Sequence, residues 1–324
     1  MPLIRKSAYR ARGPFRHGHI NTVFPALFRK VKGVPFERER VDTPDGDFLD
    51  LDWSVRGSRR LALLLHGLEG SAGRPYIRGM ARYFNHNGWD ALALNFRGCS
   101  GEPNRKLRSY HVGETGDLKW AISMILDQRD YESIALVGFS LGGNVVLKYL
   151  GENSEEVPAQ VRCGIAFSVP CDVMSANREI DKWQNYLYRY RFIKSLNAKI
   201  REKAFRFPEA LRLPEQMPQN FHQFDGRFTA PIHGFKDAED YWTRNSSLRF
   251  LPAIRRPALL VSAADDSFLS PVCYPFQLAE QHPHLFLEVP RWGGHVGFVS
   301  SGPGGAYWSE QRAYQFVKEV VEQV

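Results

Sequence analysis

Residues 134–148 read Ile-Ala-Leu-Val-Gly-Phe-Ser-Leu-Gly-Gly-Asn-Val-Val-Leu-Lys, which sets Ser140 between Gly138 and Gly142, directly after an apolar strand and before a helix. A bare G-x-S-x-G is a weak signal, and the strand and helix on either side are what give this one meaning. Small residues at a sharp strand-to-helix turn let the chain bend tightly and lift the serine hydroxyl above a sheet. The helix that follows aims its first amides at the place where negative charge develops on an attacked carbonyl. Ser140 is therefore the candidate nucleophile.

A serine hydroxyl is a weak nucleophile at neutral pH and needs a base whose tautomer is held by a carboxylate. After a turn of this kind the partners are expected in the order serine, acid, histidine. Residues 258–271 carry a strand into Asp265 and Asp266, and Arg291-Trp-Gly-Gly-His-Val-Gly-Phe298 places His295 in a glycine-rich loop beyond the last strand. His295 is the expected base and Asp266 the expected acid. Asp265 is the alternative, better suited to satisfying backbone amides of its own turn, and Asp225 is a more distant third candidate.

Two backbone donors are expected to hold an oxyanion: the N–H of Leu141, next to the nucleophile, and that of Leu68 in His66-Gly67-Leu68-Glu69-Gly70, which ends an earlier strand. His66 reads as a residue that orients this loop. Tyr76, Arg97, Arg108, His111 and Glu114 line or brace the pocket, bracing being preferred. The remaining histidines, including His282 and His284, lack a carboxylate cluster, so no metal is expected. The chemistry requires no cofactor.

These residues need a sheet to position them. Short apolar runs at 61–65, 91–95, 134–137, 164–168, 258–262 and 286–289 are strand candidates, and helix-length segments at 75–85, 114–126, 143–150, 272–279 and 309–322 separate or follow them. That alternation predicts an α/β fold with a mostly parallel central sheet flanked by helices. Asp45-Gly46 within 41–53 predicts an antiparallel hairpin at its start. About ninety residues separate the strand ending at Ser168 from the one starting at Ala258, too many for a plain connection. Trp183, Leu187, Tyr190, Ile193, Leu196 and Ile200 recur at near-helical spacing across 181–205, which predicts an inserted helical cap at 170–255 over a core made of 1–169 and 256–324. Trp183, Tyr186 and Phe192 are expected in the interior of that cap, contact with lipid being the alternative.

The chain has 324 residues, with 43 Lys plus Arg against 35 Asp plus Glu, for a net charge of +8. Its hydrophobic content of 43% suits a folded domain with a large core and excludes a disordered chain. The longest fully apolar run covers five residues, where a membrane span needs about 20. The first residues carry basic side chains without the apolar stretch of a secretory signal, so a cytoplasmic protein without a transmembrane segment is expected. Cys99, Cys163, Cys171 and Cys273 lack paired spacing and read as buried free thiols. Positive charge gathers in the N-terminal arm and in 178–212 without a nucleic-acid-binding motif. Solvated helix faces are the expected reading there, attraction to an anionic membrane surface or substrate the alternative. The sequence leaves the oligomeric state open.

At this point the chain resembles the YheT-like branch of the α/β-hydrolase superfamily, esterases with a Ser-Asp-His triad. The resemblance spans most of the chain and rests on His19-Ile-Asn-Thr-Val-Phe-Pro25, His66-Gly-Leu-Glu-Gly-Ser71, Asn95-Phe-Arg-Gly-Cys-Ser-Gly101, Ser109-Tyr-His111 with Gly113-Glu-Thr115, Gly138-Phe-Ser-Leu-Gly-Gly-Asn144, Asp240-Tyr-Trp242, Asp265-Asp266 and Gly293-Gly-His-Val-Gly-Phe298. It implies the α/β-hydrolase fold, with Ser140 as nucleophile, Asp266 as acid and His295 as base. Ser267 stands where the family often has proline, and Asp225-Gly226 where it has Asp-Asp. The implied substrate is a small-molecule or lipid-like acyl ester. Acyl transfer to an alcohol on the same triad, or a non-catalytic binding module on the same shell, are the alternative functions.

Overall fold

The computed structural model describes residues 3–321. Among them nine strands form one sheet: β1 (Leu3–Ile4), β2 (Glu37–Asp42), β3 (Phe48–Ser54), β4 (Arg60–Leu65), β5 (Asp90–Asn95), β6 (Ser133–Phe139), β7 (Val161–Phe167), β8 (Ala258–Val261) and β9 (Leu285–Glu288). Their spatial order is β1-β9-β8-β7-β6-β4-β5-β3-β2. β3 pairs antiparallel with both β2 and β5, and the other neighbours pair parallel. The hairpin at Asp45-Gly46 forms as its turn residues require, with Gly46 at φ +78°.

The helices are α1 (Gly18–Phe28), α2 (Pro75–His86), α3 (Thr115–Gln128), α4 (Leu141–Glu152), α5 (Val173–Ile180), α6 (Tyr186–Arg206), α7 (Phe221–Phe224), α8 (Ala230–Ile232), α9 (Ala238–Asn245), α10 (Phe276–Gln281) and α11 (Trp308–Val321). Successive strand residues point to opposite faces, so each buried strand feeds two cores. On one face Leu64, Val137 and Ile165 share a cluster with Met80 and Phe84 of α2 and Phe316 of α11. On the other, Leu63, Leu65 and Leu136 share a cluster with Ile122 of α3 and Val146 of α4. A side chain such as Phe84, fully buried, contributes roughly 2–3 kcal/mol relative to exposure.

Strand order fixes where chemistry can sit. β4 lies between β5 and β6, so the chain leaves β4 toward one side, returns through β5 and crosses to the other side into β6. The loops after β4 and β6 diverge at their carboxyl ends, and the crevice they leave is where ligands enter open sheets of this kind. Residues 66–70 and Ser140 border it.

Between β7 and β8 every regular element is helical, with a π-helical turn at Asp225–Thr229 between α7 and α8 and a non-helical stretch at 207–220 between α6 and α7. Three expectations change, two in this insertion and one after β8. The 181–205 helix begins at Tyr186, after a 3-10 turn at Trp183–Asn185. The 272–279 helix is split by Pro275 into a 3-10 turn at Pro271–Cys273 and α10, because proline has no N–H to continue the ladder. Trp183 and Tyr186 are exposed, not interior. α6 buries Ile193, Asn197, Ile200 and Lys203 instead, a face whose two polar members bond inward, Lys203 Nζ to Asn104 Oδ1 at 2.9 Å and Asn197 Nδ2 to the Pro218 carbonyl at 2.9 Å. The basic residues of 178–212 are thus not all solvated. The expected end of the last helix, Glu322, lies outside the described residues. α1 was not anticipated from the sequence. All four cysteines are free and buried.

Gly142 shows how close the crevice walls stand. A Cβ there would lie 2.5 Å from the Leu65 carbonyl oxygen and 2.6 Å from that of His66, both rigid backbone at the end of β4. Gly142→Ala is expected to destabilise the fold by about 2 kcal/mol or more, read as a lower urea midpoint. An unchanged midpoint would contradict this packing.

Candidate active site

Ser140 sits at φ +52°, ψ −117°, a conformation that costs a non-glycine residue of order 1–3 kcal/mol and persists only where the surroundings enforce it. They do so here. The Ser140 N–H donates to the Phe167 carbonyl at 2.8 Å, and Asn144 N–H donates to the Ser140 carbonyl at 3.0 Å as α4 begins. A Cβ on Gly138 would lie 2.3 Å from the Gly142 carbonyl oxygen, so only glycine permits the bend. Among the described residues the other non-glycine positions with positive φ are Glu69, Ser168, Val296 and Phe298, and all belong to the loops that surround this serine.

Ser140 Oγ lies 2.9 Å from His295 Nε2, and His295 Nδ1 lies 2.9 Å from Asp266 Oδ2. The three expected residues therefore converge. With the carboxylate acceptor at Nδ1, the neutral ring carries its proton there and leaves Nε2 free to accept from the serine hydroxyl. Asp266 is buried, and its other oxygen accepts from the Phe268 N–H at 3.0 Å. The Phe268 ring stacks on His295 with centroids 4.3 Å apart. Asp265 points elsewhere and accepts from Gly294 N–H at 2.9 Å, while burial raises its pKa. It braces the histidine loop and does not reach the imidazole.

The histidine loop is held from a distance along the chain. His295 N–H donates to Thr22 Oγ1 at 2.8 Å, Val299 N–H to Asn21 Oδ1 at 3.0 Å, and Val296 N–H to Ser168 Oγ at 2.9 Å. No spacing in the sequence assigns a role to Thr22, Asn21, Ser168 or Phe268. The first two lie in the His19–Pro25 motif, which was the only available signal for them.

On the opposite side of the crevice, Leu141 is the first residue of α4, where an N–H has no intrahelical acceptor. The Leu68 N–H likewise has no acceptor among the described residues. His66 is buried with both ring nitrogens engaged: Phe96 N–H donates to Nε2 at 3.1 Å, so Nδ1 carries the proton and donates to the Gly67 carbonyl at 2.8 Å. Burial pushes its pKa down to about 4. Tyr76 Oη accepts from Gly67 N–H at 3.1 Å. Both side chains shape the loop, as expected for His66.

Glu69 ties that loop to α6. Its carboxylate accepts from Lys199 Nζ at 2.8 Å, Ser195 Oγ at 2.5 Å and Tyr110 Oη at 2.7 Å. Burial alone would raise its pKa, but Lys199 and these donors leave it below the usual value. The acid loop is tied to the same region, since Ser267 Oγ donates to Asn185 Oδ1 at 2.8 Å and Asn185 Nδ2 donates to the Ser267 carbonyl at 2.7 Å. Arg97 braces: it is buried against Asp117, with two contacts of 2.7 and 2.8 Å, and against Asp45 and Asp47. Arg108 pairs with Glu114 at 2.5 Å, and His111 lies 3.4 Å from the same carboxylate.

Two cavities, of about 370 and about 320 Å³, meet at Ser140 and His295, sharing Leu68, Glu69, Phe192 and Phe268 as walls. The larger runs between the sheet end and the β7–β8 insertion, against Val173, Ile180, Phe221 and Phe228. The smaller opens past α1, along Val23, Leu27 and Tyr188. Among the described residues there is no cluster of three or more His, Cys, Asp or Glu that could hold a metal ion.

A mostly parallel sheet with this strand order, and a serine on a strained turn at its crevice, define the α/β-hydrolase class. A family model described as alpha/beta hydrolase fold matches residues 63–301. The chain is 34% identical to "Putative esterase YheT" of Escherichia coli over 88% of its length and 85% of that protein. It is 28% identical to "Phospholipase ABHD3" of Mus musculus over 89% of its length and 73% of that protein. Among solved structures, the Pyrococcus furiosus esterase Pf2001 superposes with a TM-score of 0.60 at 20% identity, over 89% of this chain and 92% of that one. The chain belongs to the α/β-hydrolase fold family, in its YheT-like branch.

Asp225, the third candidate acid, lies in the insertion away from His295 and accepts from Trp242 Nε1 and Thr229 Oγ1, both at 2.7 Å. Burial pushes its pKa up to about 6, the two donors only partly offsetting it. An acid raised in the folded state contributes stability that is fully present below its ordinary value and lost as pH rises through about 6. The loss is of order 3 kcal/mol. Asn at 225 keeps an acceptor for Trp242 and offers Thr229 a donor. Asp225→Asn is therefore expected to gain on the wild type as pH rises from about 4 to 7, measured by urea unfolding at each pH. Parallel profiles would contradict it.

Proposed function

We propose that the protein hydrolyses carboxylic esters through Ser140, His295 and Asp266 by way of an acyl-enzyme. The observation that carries this reading is the hydrogen-bonded line from Asp266 through His295 to Ser140, with both links at 2.9 Å. His295 Nε2 takes the hydroxyl proton as Ser140 Oγ attacks the ester carbonyl, and Asp266 stabilises the imidazolium that results. The N–H groups of Leu68 and Leu141 hold the oxyanion. His295 returns the proton to the departing alcohol oxygen. It then activates water against the acyl-serine, freeing the acid and restoring the hydroxyl.

Relatives named as an esterase and a phospholipase support an ester as substrate. The two cavities meeting at the serine suit an ester with sizeable groups on both sides of its carbonyl, the mostly apolar larger one suiting a lipid-like acyl chain. In this reading residues 170–255 act as a cap over the larger cavity, docked through Glu69 and Ser267, and keep water from the acyl group.

Assays with p-nitrophenyl esters of graded acyl length test the proposal. Ser140→Ala is expected to lose turnover and fluorophosphonate labelling together, while binding the product acid as the wild type does. Asp266→Asn should keep the fold and lower kcat by about 10³–10⁴ through the wrong imidazole tautomer. Equal activity of Ser140→Ala and wild type would sink the assignment of the nucleophile.

A further inference from the structure

The face around the smaller cavity combines exposed apolar side chains with a one-sided charge. On α1, Leu27 is 62% and Phe28 65% exposed, and Val23 and Phe24 also face solvent. At the start of α6, Trp183 is 87% and Leu187 77% exposed, with Tyr186 and Tyr190 beside them. The two helices meet where His19 Nδ1 lies 3.1 Å from Tyr188 Oη. Val23, Leu27 and Arg191 line the cavity mouth and are exposed as well, so the apolar rim and the opening are one surface.

Residues 1–36 contain eight Lys and Arg and no Asp or Glu, and residues 182–201 contain six and none. The rest of the chain is left with 29 basic against 35 acidic residues, so the net charge of +8 resides in these two segments. Arg12, Arg16, Lys30, Lys32, Arg191 and Lys194 are exposed and form no ion pair with a carboxylate among the described residues. Phe15 packs on Phe24 with centroids 5.0 Å apart, which keeps the turn bearing Arg16 against α1.

We propose that the face made by α1, the turn before it and the N-terminal half of α6 docks on an anionic lipid bilayer, with the smaller cavity opening toward it. Exposed Trp, Tyr, Leu and Phe enter the headgroup boundary while the surrounding Lys and Arg meet lipid phosphates, the arrangement of interfacial helices. A second copy of the chain fits this face badly, because a symmetric contact would set the unpaired Arg12, Arg16, Lys30, Lys32, Arg191 and Lys194 of two basic rims against each other. No described helix is long and apolar enough to cross a membrane, so the attachment is peripheral.

Sedimentation of the full chain with vesicles of phosphatidylcholine, alone or with about 30% phosphatidylglycerol, tests this directly. Binding is expected only with the anionic lipid, weakening steeply from ~0.05 to ~0.5 M NaCl. Phe28→Ser/Trp183→Ser/Leu187→Ser and Lys30→Glu/Lys32→Glu/Lys194→Glu should each bind at least about tenfold more weakly while keeping the wild-type urea midpoint. Ser140→Ala should bind as the wild type does, which separates docking from the reading of the active site. Absence of binding at low salt, binding by either triple variant as strong as the wild type's, or a dimer in sedimentation velocity that the Phe28/Trp183/Leu187 variant abolishes would overturn the proposal.

Discussion

A serine forced into a left-handed backbone conformation at the end of β6 is the constraint on which the rest of the site depends. The strain is tolerable because the β7 backbone accepts its N–H and because Gly138 and Gly142 let the carbonyls of the elbow and of β4 approach within distances no Cβ would allow. The same closeness brings the loop after β4 beside the serine: a Cβ on Gly67 would lie only 3.2 Å from Ser140 Cβ. The proposed nucleophile and oxyanion donors are thus set by one packing arrangement of β4, β6 and α4. The sheet's crossing point supplies the opening above them.

Around that rigid centre, the loops carrying Asp266, His295 and Leu68 are held by polar contacts from outside the sheet. α1 reaches the histidine loop through Thr22 and Asn21, and the insertion reaches the acid loop through Asn185 and the Leu68 loop through Ser195 and Lys199. Each contact is a hydrogen bond or ion pair in a partly buried setting, where losing one partner costs more than forming the pair gains. Movement of α6 would therefore be felt on two sides of the serine at once.

Most strands and the three converging residues were legible because their signals are local: short apolar runs, a glycine-framed serine, two carboxylates at a strand end and a histidine among glycines. α1 was not, because Pro25 interrupts its pattern and its apolar residues face outward, with Asn21 alone buried. Periodicity grouped Trp183 with Leu187 and Tyr190 on one side of a helix, but it carries no information on which side meets the core. The buried side of α6 includes Asn197 and Lys203, polar residues whose partners Pro218 and Asn104 lie on other loops. Thr22 and His295 are 273 positions apart, and no spacing rule connects them.

The imidazole of His66, locked neutral between two main-chain groups, makes its own demand on solution conditions. Since the unfolded ring binds a proton near 6.5 and the folded one only near 4, acidification across that interval favours unfolding. The buried carboxyl of Asp225 titrates over much of the same interval with the opposite slope. The two gradients oppose each other, so the slope of a stability curve in weak acid understates what either group contributes by itself.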